Sequence, residues 1–179
     1  SMRVFLIIIG LAIFVLSNSC KKIDELTKFE MEYDATVVIP SSSGINLPFN
    51  IYSPSVSSNA EATFEINDTR KDLIEEILLK EMVLRVDAPN GGDFGFLESV
   101  EIFINAQDLD ELKIAWYYNV PDSQGSTLDI FTTAEDLKEY IKKDNFTLRV
   151  NTVTDEILTS DYHINIFSRF FVDAKILGQ

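Results

Sequence analysis

One cysteine, one histidine and one tryptophan occur in 179 residues, and the 15 basic side chains are outnumbered by 29 acidic ones. With Cys20 alone, no disulfide can close within the chain, so its fold must rest on packing and backbone hydrogen bonding. With His163 alone, a zinc site would have to be built mostly from carboxylates, and the imidazole and thiolate clusters of metal-assisted hydrolysis are out of reach. The formal charge of −14 repels phosphate backbones, and the longest basic runs, Lys21-Lys22 and Lys142-Lys143, are two residues each. Nucleic acid is therefore not an expected partner. No serine sits in a nucleophile elbow. Gly91-Gly92-Asp93-Phe94-Gly95 lacks the Lys-Ser/Thr and the helix of a phosphate loop. No catalytic constellation and no cofactor is implied.

Long apolar runs are also missing, with one partial exception. Val4 to Leu16 is thirteen residues without a charge, preceded by Arg3 and followed by Ser17-Asn18-Ser19-Cys20. As a helix it would be about 20 Å long, short of a hydrocarbon core of roughly 30 Å, and it has the length of a signal-peptide apolar region. LSNSCKK resembles the lipobox of bacterial lipoproteins, and the polar residues after it resemble those of Bacteroidetes lipoproteins in particular. The resemblance implies cleavage before Cys20 by signal peptidase II, diacylation through its sulfur, and acylation of the new amino end. Ser19 is then the small residue before the cut. Ser17 departs from the usual aliphatic residue three before the cysteine, a position at which Bacteroidetes signals are looser. Lys22-Ile23-Asp24-Glu25 is similar to the lysine-plus-acidic signal that sends such lipoproteins to the outside of the outer membrane. The organisation expected is a signal peptide over 1–19, a lipidated cysteine and short tether over 20–27, and one domain over 28–179. That domain would be lipid-anchored to the outer membrane, on its periplasmic or its outer side. Each buried methylene contributes about 0.8 kcal/mol, and two or more acyl chains hold a protein firmly.

From residue 29 onward the apolar period is two, which predicts strands. Phe29, Met31 and Tyr33 alternate with Glu30, Glu32 and Asp34. Further strands are expected near Leu47 to Ser53, through Ala62, Phe64 and Ile66, over Met82 to Ala88, over Val100 to Ile104, over Leu112 to Tyr118, at Leu128 to Phe131, from Phe146 to Val150, and from Tyr162 to Ile176. In the sixth of these strands, Leu112, Ile114, Trp116 and Tyr118 are expected to share a face. Two segments change period. Leu73, Ile74, Ile77 and Leu78 fall at helical spacing after Asp68 and Thr69 as caps, and TTAEDLKEYIKK offers Thr133 as a cap with Leu137, Tyr140 and Ile141 as an apolar stripe. The fold class expected is mainly β: a two-sheet antiparallel β-sandwich, immunoglobulin-like in outline, with two short helical insertions. Strand counting alone leaves a jelly roll or a partly closed barrel open.

Two groups of oxygen ligands would suit calcium, Asp87, Asn90 and Asp93 around a glycine-rich turn and Asp108, Asp110 and Glu111 in another, although turns favour Asp and Asn for backbone reasons alone. Trp116, Tyr117 and Tyr118 in one strand and Phe167, Phe170 and Phe171 in another must place some rings away from the core. Outward rings pack under the helices or form a binding face, for which Trp116, Tyr117, Tyr118, Phe167 and Phe171 are the candidates. These features point to a non-catalytic anchored module for a protein partner. The alternatives are a carbohydrate-binding or adhesin-like module, which requires an exposed Trp/Tyr platform with polar neighbours, and a small envelope hydrolase. Protein purified from membranes of its native host should show the intact mass of a chain beginning at an acylated Cys20. A mass retaining the first nineteen residues and a free thiol would contradict this assignment.

Overall fold

In the first strand, β1 (Lys28–Ile39), Met31, Ala35, Val37 and Ile39 are buried, whereas Glu30, Glu32 and Asp34 face water. The computed structural model describes residues 28–175; the leader, Cys20 and the tether lie outside the described residues. After β1 come β2 (Phe49–Tyr52), β3 (Val56–Ser57), helix α1 (Ala60–Ile66), a single 3-10 turn (Lys71–Leu73) and β4 (Ile74–Ala88). The second half holds β5 (Leu97–Ala106), β6 (Leu112–Tyr118), β7 (Thr127–Asp129), β8 (Phe131–Thr132), α2 (Lys138–Ile141), β9 (Asn145–Thr154) and β10 (Tyr162–Ala174).

The strands form two sheets, one in the order β1-β10-β4-β7 and the other β2-β9-β5-β6-β8, with β3 also on β9. All pairings are antiparallel. The inner faces meet in one core, where Ile77, Ile102, Ile104, Ile114, Phe170 and Val172 are wholly excluded from solvent. The two-sheet antiparallel sandwich is present as the period-two runs imply. Its strand order is that of a jelly roll, in which the chain crosses repeatedly from one sheet to the other and the last long strand returns beside the first. An immunoglobulin-like order would instead set the first two strands side by side in one sheet.

Both helical insertions differ from the reading of the sequence. Residues 60–66, whose Ala62, Phe64 and Ile66 alternate as in a strand, form α1, and its buried residues are Ala60 and Phe64, one helical turn apart. Ile66 is 81% exposed. Asp68, expected to start a helix, closes this one: it sits at φ 55 while the Thr69 and Asp68 N–H groups donate to the Phe64 and Glu65 carbonyls, a left-handed C-terminal cap. The segment after it, read as helical from Ile74 and Ile77, belongs to β4. A register irregularity beside Ile74 admits an extra residue, so two inward side chains stand three apart and imitate a helical repeat. The second insertion is a helix of a single turn, α2, and Thr133 is not its cap. Asp136 Oδ1 accepts from the Lys138 N–H and also from the Ile77 N–H, each at 3.0 Å, tying the turn to β4.

Because Phe64 is buried and Ile66 is not, Phe64→Ala should destabilise the domain by about 3–5 kcal/mol, and Ile66→Ala should lie within about 0.5 kcal/mol of wild type. Urea unfolding measures both. Equal losses at the two positions would restore the strand reading.

Candidate functional site

The strand β6 places rings on the outside of the six-stranded sheet through an irregularity in its backbone. Ile102 pairs with Ala115 and Phe103 with Lys113, so Ile114 has no partner in β5. Both Ile114 and Ala115 are buried, and the alternation restarts one residue late. As a result Tyr117, not Trp116, packs against the core. Trp116 and Tyr118 share the outer face with Lys113, whose ammonium lies 5.7 Å from the Trp116 ring centre and 3.4 Å from the Tyr118 hydroxyl. The expected face of Leu112, Ile114, Trp116 and Tyr118 is thus split between core and surface.

Strand register sets further residues beside these. One row across the sheet runs Asn50, Asn151, Glu101, Trp116 and Phe131, from β2 through β9, β5 and β6 to β8. The neighbouring row runs Tyr52, Arg149, Phe103 and Lys113. The exposed rings stand at the two margins: Tyr52 is 63% exposed at one, and Phe131 at 61% and Tyr118 at 46% stand at the other. Phe131 is held by stacking on Tyr117, with ring centres 5.6 Å apart and planes inclined by 20°.

The middle of the face is polar and tightly connected. The Arg149 Nε lies 3.0 and 2.9 Å from the two Glu111 oxygens, and its Nη1 donates to Asn50 Oδ1 at 2.6 Å. Its guanidinium carbon sits 3.9 Å from the Phe103 ring centre, a stacked arrangement for which a planar cation is suited. Asn105 donates to Glu111 at 2.9 Å and Asn151 to Asn50 at 3.0 Å. On the adjoining strands Glu101 accepts from the Tyr118 hydroxyl and, at 3.1 Å, from Lys113. Arg149 holds the Glu111 carboxyl below the usual carboxylate range chiefly by these hydrogen bonds. For Glu101 the Tyr118 hydrogen bond is the first cause of the same downward shift, with Lys113 adding to it. Lys113 and Arg149 are raised in turn by their carboxylate partners.

The other candidates are not brought to this face. Phe167 and Phe171 lie on the outside of the opposite sheet, paired across from Asp34 and Glu30 of β1, and cations cover them. Arg85 and Arg169 stand 5.2 and 5.6 Å from the Phe167 ring centre, and Lys80 stands 5.5 Å from that of Phe171. Arg169 also pairs with Glu32 and Glu81, each at 3.1 Å. His163 is exposed at the start of β10. Among the described residues no three His, Cys, Asp or Glu side chains converge as metal ligands. Of the turn residues weighed for calcium, Asp93 accepts from the Gly95 N–H at 3.0 Å, Asp108 takes a left-handed conformation at φ 60, the Asp110 carbonyl accepts from Tyr140, and Glu111 is bound to Arg149. Asp87 lies in β4 at the register irregularity near its end, and Asn90 follows in the adjoining turn.

No protein-family model matches the sequence, and no curated protein matches it. Solved structures with a similar course of chain include a Clostridium perfringens module in complex with GalNAc-β-1,3-galactose, 10% identical, with 80% of this chain and 97% of that one covered and a TM-score of 0.37. A xylan-binding module is 14% identical over 83% of this chain and 99% of its own, with a TM-score of 0.38. The decameric BFDV capsid protein is 9% identical, with coverages of 81% and 98% and a TM-score of 0.35. The likeness extends to sandwich architecture alone.

Because both carboxyl pKa values are lowered by folding, the Glu101 and Glu111 contacts contribute stability above the ordinary glutamate value of about 4.3, and that contribution is lost as pH falls through the lowered values. Carboxyl carbon NMR titrations of the two residues should therefore give midpoints below about 4.3. Midpoints at or above that value would mean that the polar centre is not held together in solution.

Proposed function

We propose that the chain is a non-catalytic, lipid-anchored module of a bacterial outer membrane that binds a glycan on the outer face of its six-stranded sheet. The observation that carries this reading is the placement of exposed rings at the margins of a face whose centre is a fixed polar network. A sugar ring presents a C–H face that packs on an aromatic ring and a rim of hydroxyls that both donate and accept hydrogen bonds. Trp116, Tyr118, Phe131 and Tyr52 supply the first kind of partner, and Asn50, Asn151, Arg149, Glu101 and Glu111 supply the second. Few precisely oriented polar groups beside apolar surface are the general pattern of small-molecule recognition.

A protein partner fits this face less well. Protein interfaces deplete charge at their centre and place their polar residues on the rim, the reverse of the distribution here. The opposite sheet's outer face is no better suited, since its two phenylalanines lie beneath Arg85, Arg169 and Lys80, are flanked by Glu30, Glu32 and Glu81, and have no exposed ring such as Tyr52, Tyr118 or Phe131 beside them among the described residues. Anchoring through Cys20 fits a module that holds a polysaccharide near the cell. A binding role needs no general acid, base or nucleophile, and the charged residues of this face are joined in two ion pairs, Arg149 with Glu111 and Lys113 with Glu101.

Affinity electrophoresis through gels containing soluble polysaccharides tests the reading. At least one polysaccharide should retard the wild-type chain. Trp116→Ala and Phe131→Ala should each weaken that retardation about tenfold or more, as expected for loss of roughly 1.4 kcal/mol of ring contact. Phe171→Ala, on the other sheet, should leave it unchanged. Retardation by no polysaccharide, or equal loss with Phe171→Ala, would overturn the assignment.

A further inference from the structure

We infer that the ligand is an uncharged glycan chain lying across the strands, from Phe131 and Trp116 at one margin of the sheet to Tyr52 at the other. This inference rests on the glycan reading and adds the class of sugar and the path of the chain.

The path follows from strand register. Tyr52 on β2 and Trp116 on β6 are separated by β9 and β5, so at about 4.8 Å per strand they stand roughly 14 Å apart, and Phe131 on β8 lies roughly 19 Å from the Tyr52 strand. A disaccharide cannot reach both margins, whereas a longer chain can. Between the margins, every position in the row Asn50, Asn151, Glu101 is a polar side chain able to meet hydroxyl groups. The ring of Phe103 in the middle is already taken by the Arg149 guanidinium. Exposed stacking surface is therefore confined to the two ends of the track.

The sugar class follows from charge. The two cations in these rows, Lys113 and Arg149, are each held by a carboxylate, Glu101 and Glu111. To bind a uronate, a glycan carboxylate would have to displace Glu111 from a contact in which two guanidinium nitrogens reach the carboxylate. The formal charge of −14 also opposes the approach of a polyanion. An uncharged chain meets neither obstacle and finds donors and acceptors already oriented by the ion pairs.

Isothermal titration calorimetry on the full chain tests both statements, with disaccharides and hexasaccharides of several neutral series (gluco-, xylo-, manno- and galacto-) and hexagalacturonate as probes. A neutral hexasaccharide should bind at least tenfold more tightly than the disaccharide of its series, and hexagalacturonate at least tenfold more weakly than that hexasaccharide. Tyr52→Ala changes an exposed side chain, so it should fold as wild type; it should lower hexasaccharide affinity several-fold more than disaccharide affinity and so close most of the gap between the two lengths. Preferential binding of hexagalacturonate would overturn the sugar class, and a Tyr52→Ala loss equal at both lengths, or none, would overturn the path. Either result leaves glycan binding itself standing. Binding of no probe, in a chain that also shows no retardation by any polysaccharide, would remove this inference together with the reading beneath it.

Discussion

Every long strand in this domain has one face that must leave water, and there are two such sets of faces to bring together. Burial of the inner faces against each other is the main favourable term available to a chain with a single cysteine, and it fixes the phase of each strand: a slip of one residue would turn the apolar set outward. The rest of the molecule works within that restriction. β10 lies at the middle of its sheet between β1 and β4, and its Ile164, Ile166, Phe170, Val172 and Ala174 are all buried. Where the chain needs a different side chain outside, it changes phase with a bulge rather than abandoning the core.

Such a phase change at Ile114 accounts for the outer face of the six-stranded sheet. Without the extra residue, Trp116 and Tyr118 would continue the inward set begun by Leu112, and Tyr117 would stand outside. With it, two large rings reach solvent beside Lys113, and the core keeps Tyr117 instead. The carbonyl of the bulged residue is not orphaned, because the Thr133 N–H donates to it at 2.8 Å. Bulges are frequent next to sites because they re-aim side chains in this way. The ion pairs then fix what the bulge exposes. Tyr118 is oriented through Glu101, and Arg149 is pinned over Phe103 by Glu111 and Asn50, so the face presents polar groups with little conformational freedom left.

The sequence makes the sandwich legible because alternation reports one-sided burial directly, as in β1 and β10. It conceals phase changes, because a bulge alters the spacing of buried residues without leaving a residue type as its mark. In β4 the altered spacing looks like a helix, and in β6 it assigns Trp116 and Tyr118 to the wrong side. The reverse error at residues 60–66 arises because Ala62 and Ile66 are apolar but exposed, so a helix with two buried positions passes for a strand. Of the face itself, Trp116 and Tyr118 were recognisable as aromatic residues in excess of what one core face can hold. Tyr52, Asn50, Arg149, Asn151 and Phe131 were not, since no local pattern links residues spread over about a hundred positions. Strand order brings them together, and periodicity does not encode strand order. Phe167 and Phe171 resemble Trp116 and Tyr118 in sequence context, yet they lie on the opposite sheet beneath arginine and lysine, without an exposed ring such as Tyr118 or Phe131 beside them.

The account turns on which outer face meets the ligand, and amide NMR reads that directly. On titration of the isotope-labelled chain with a polysaccharide fragment that it binds, the account predicts shifts concentrated at the Trp116 indole N–H, the Asn50 and Asn151 side-chain amides and the backbone of β5, β6 and β9. Shifts concentrated instead on β1, β4 and β10 would contradict it.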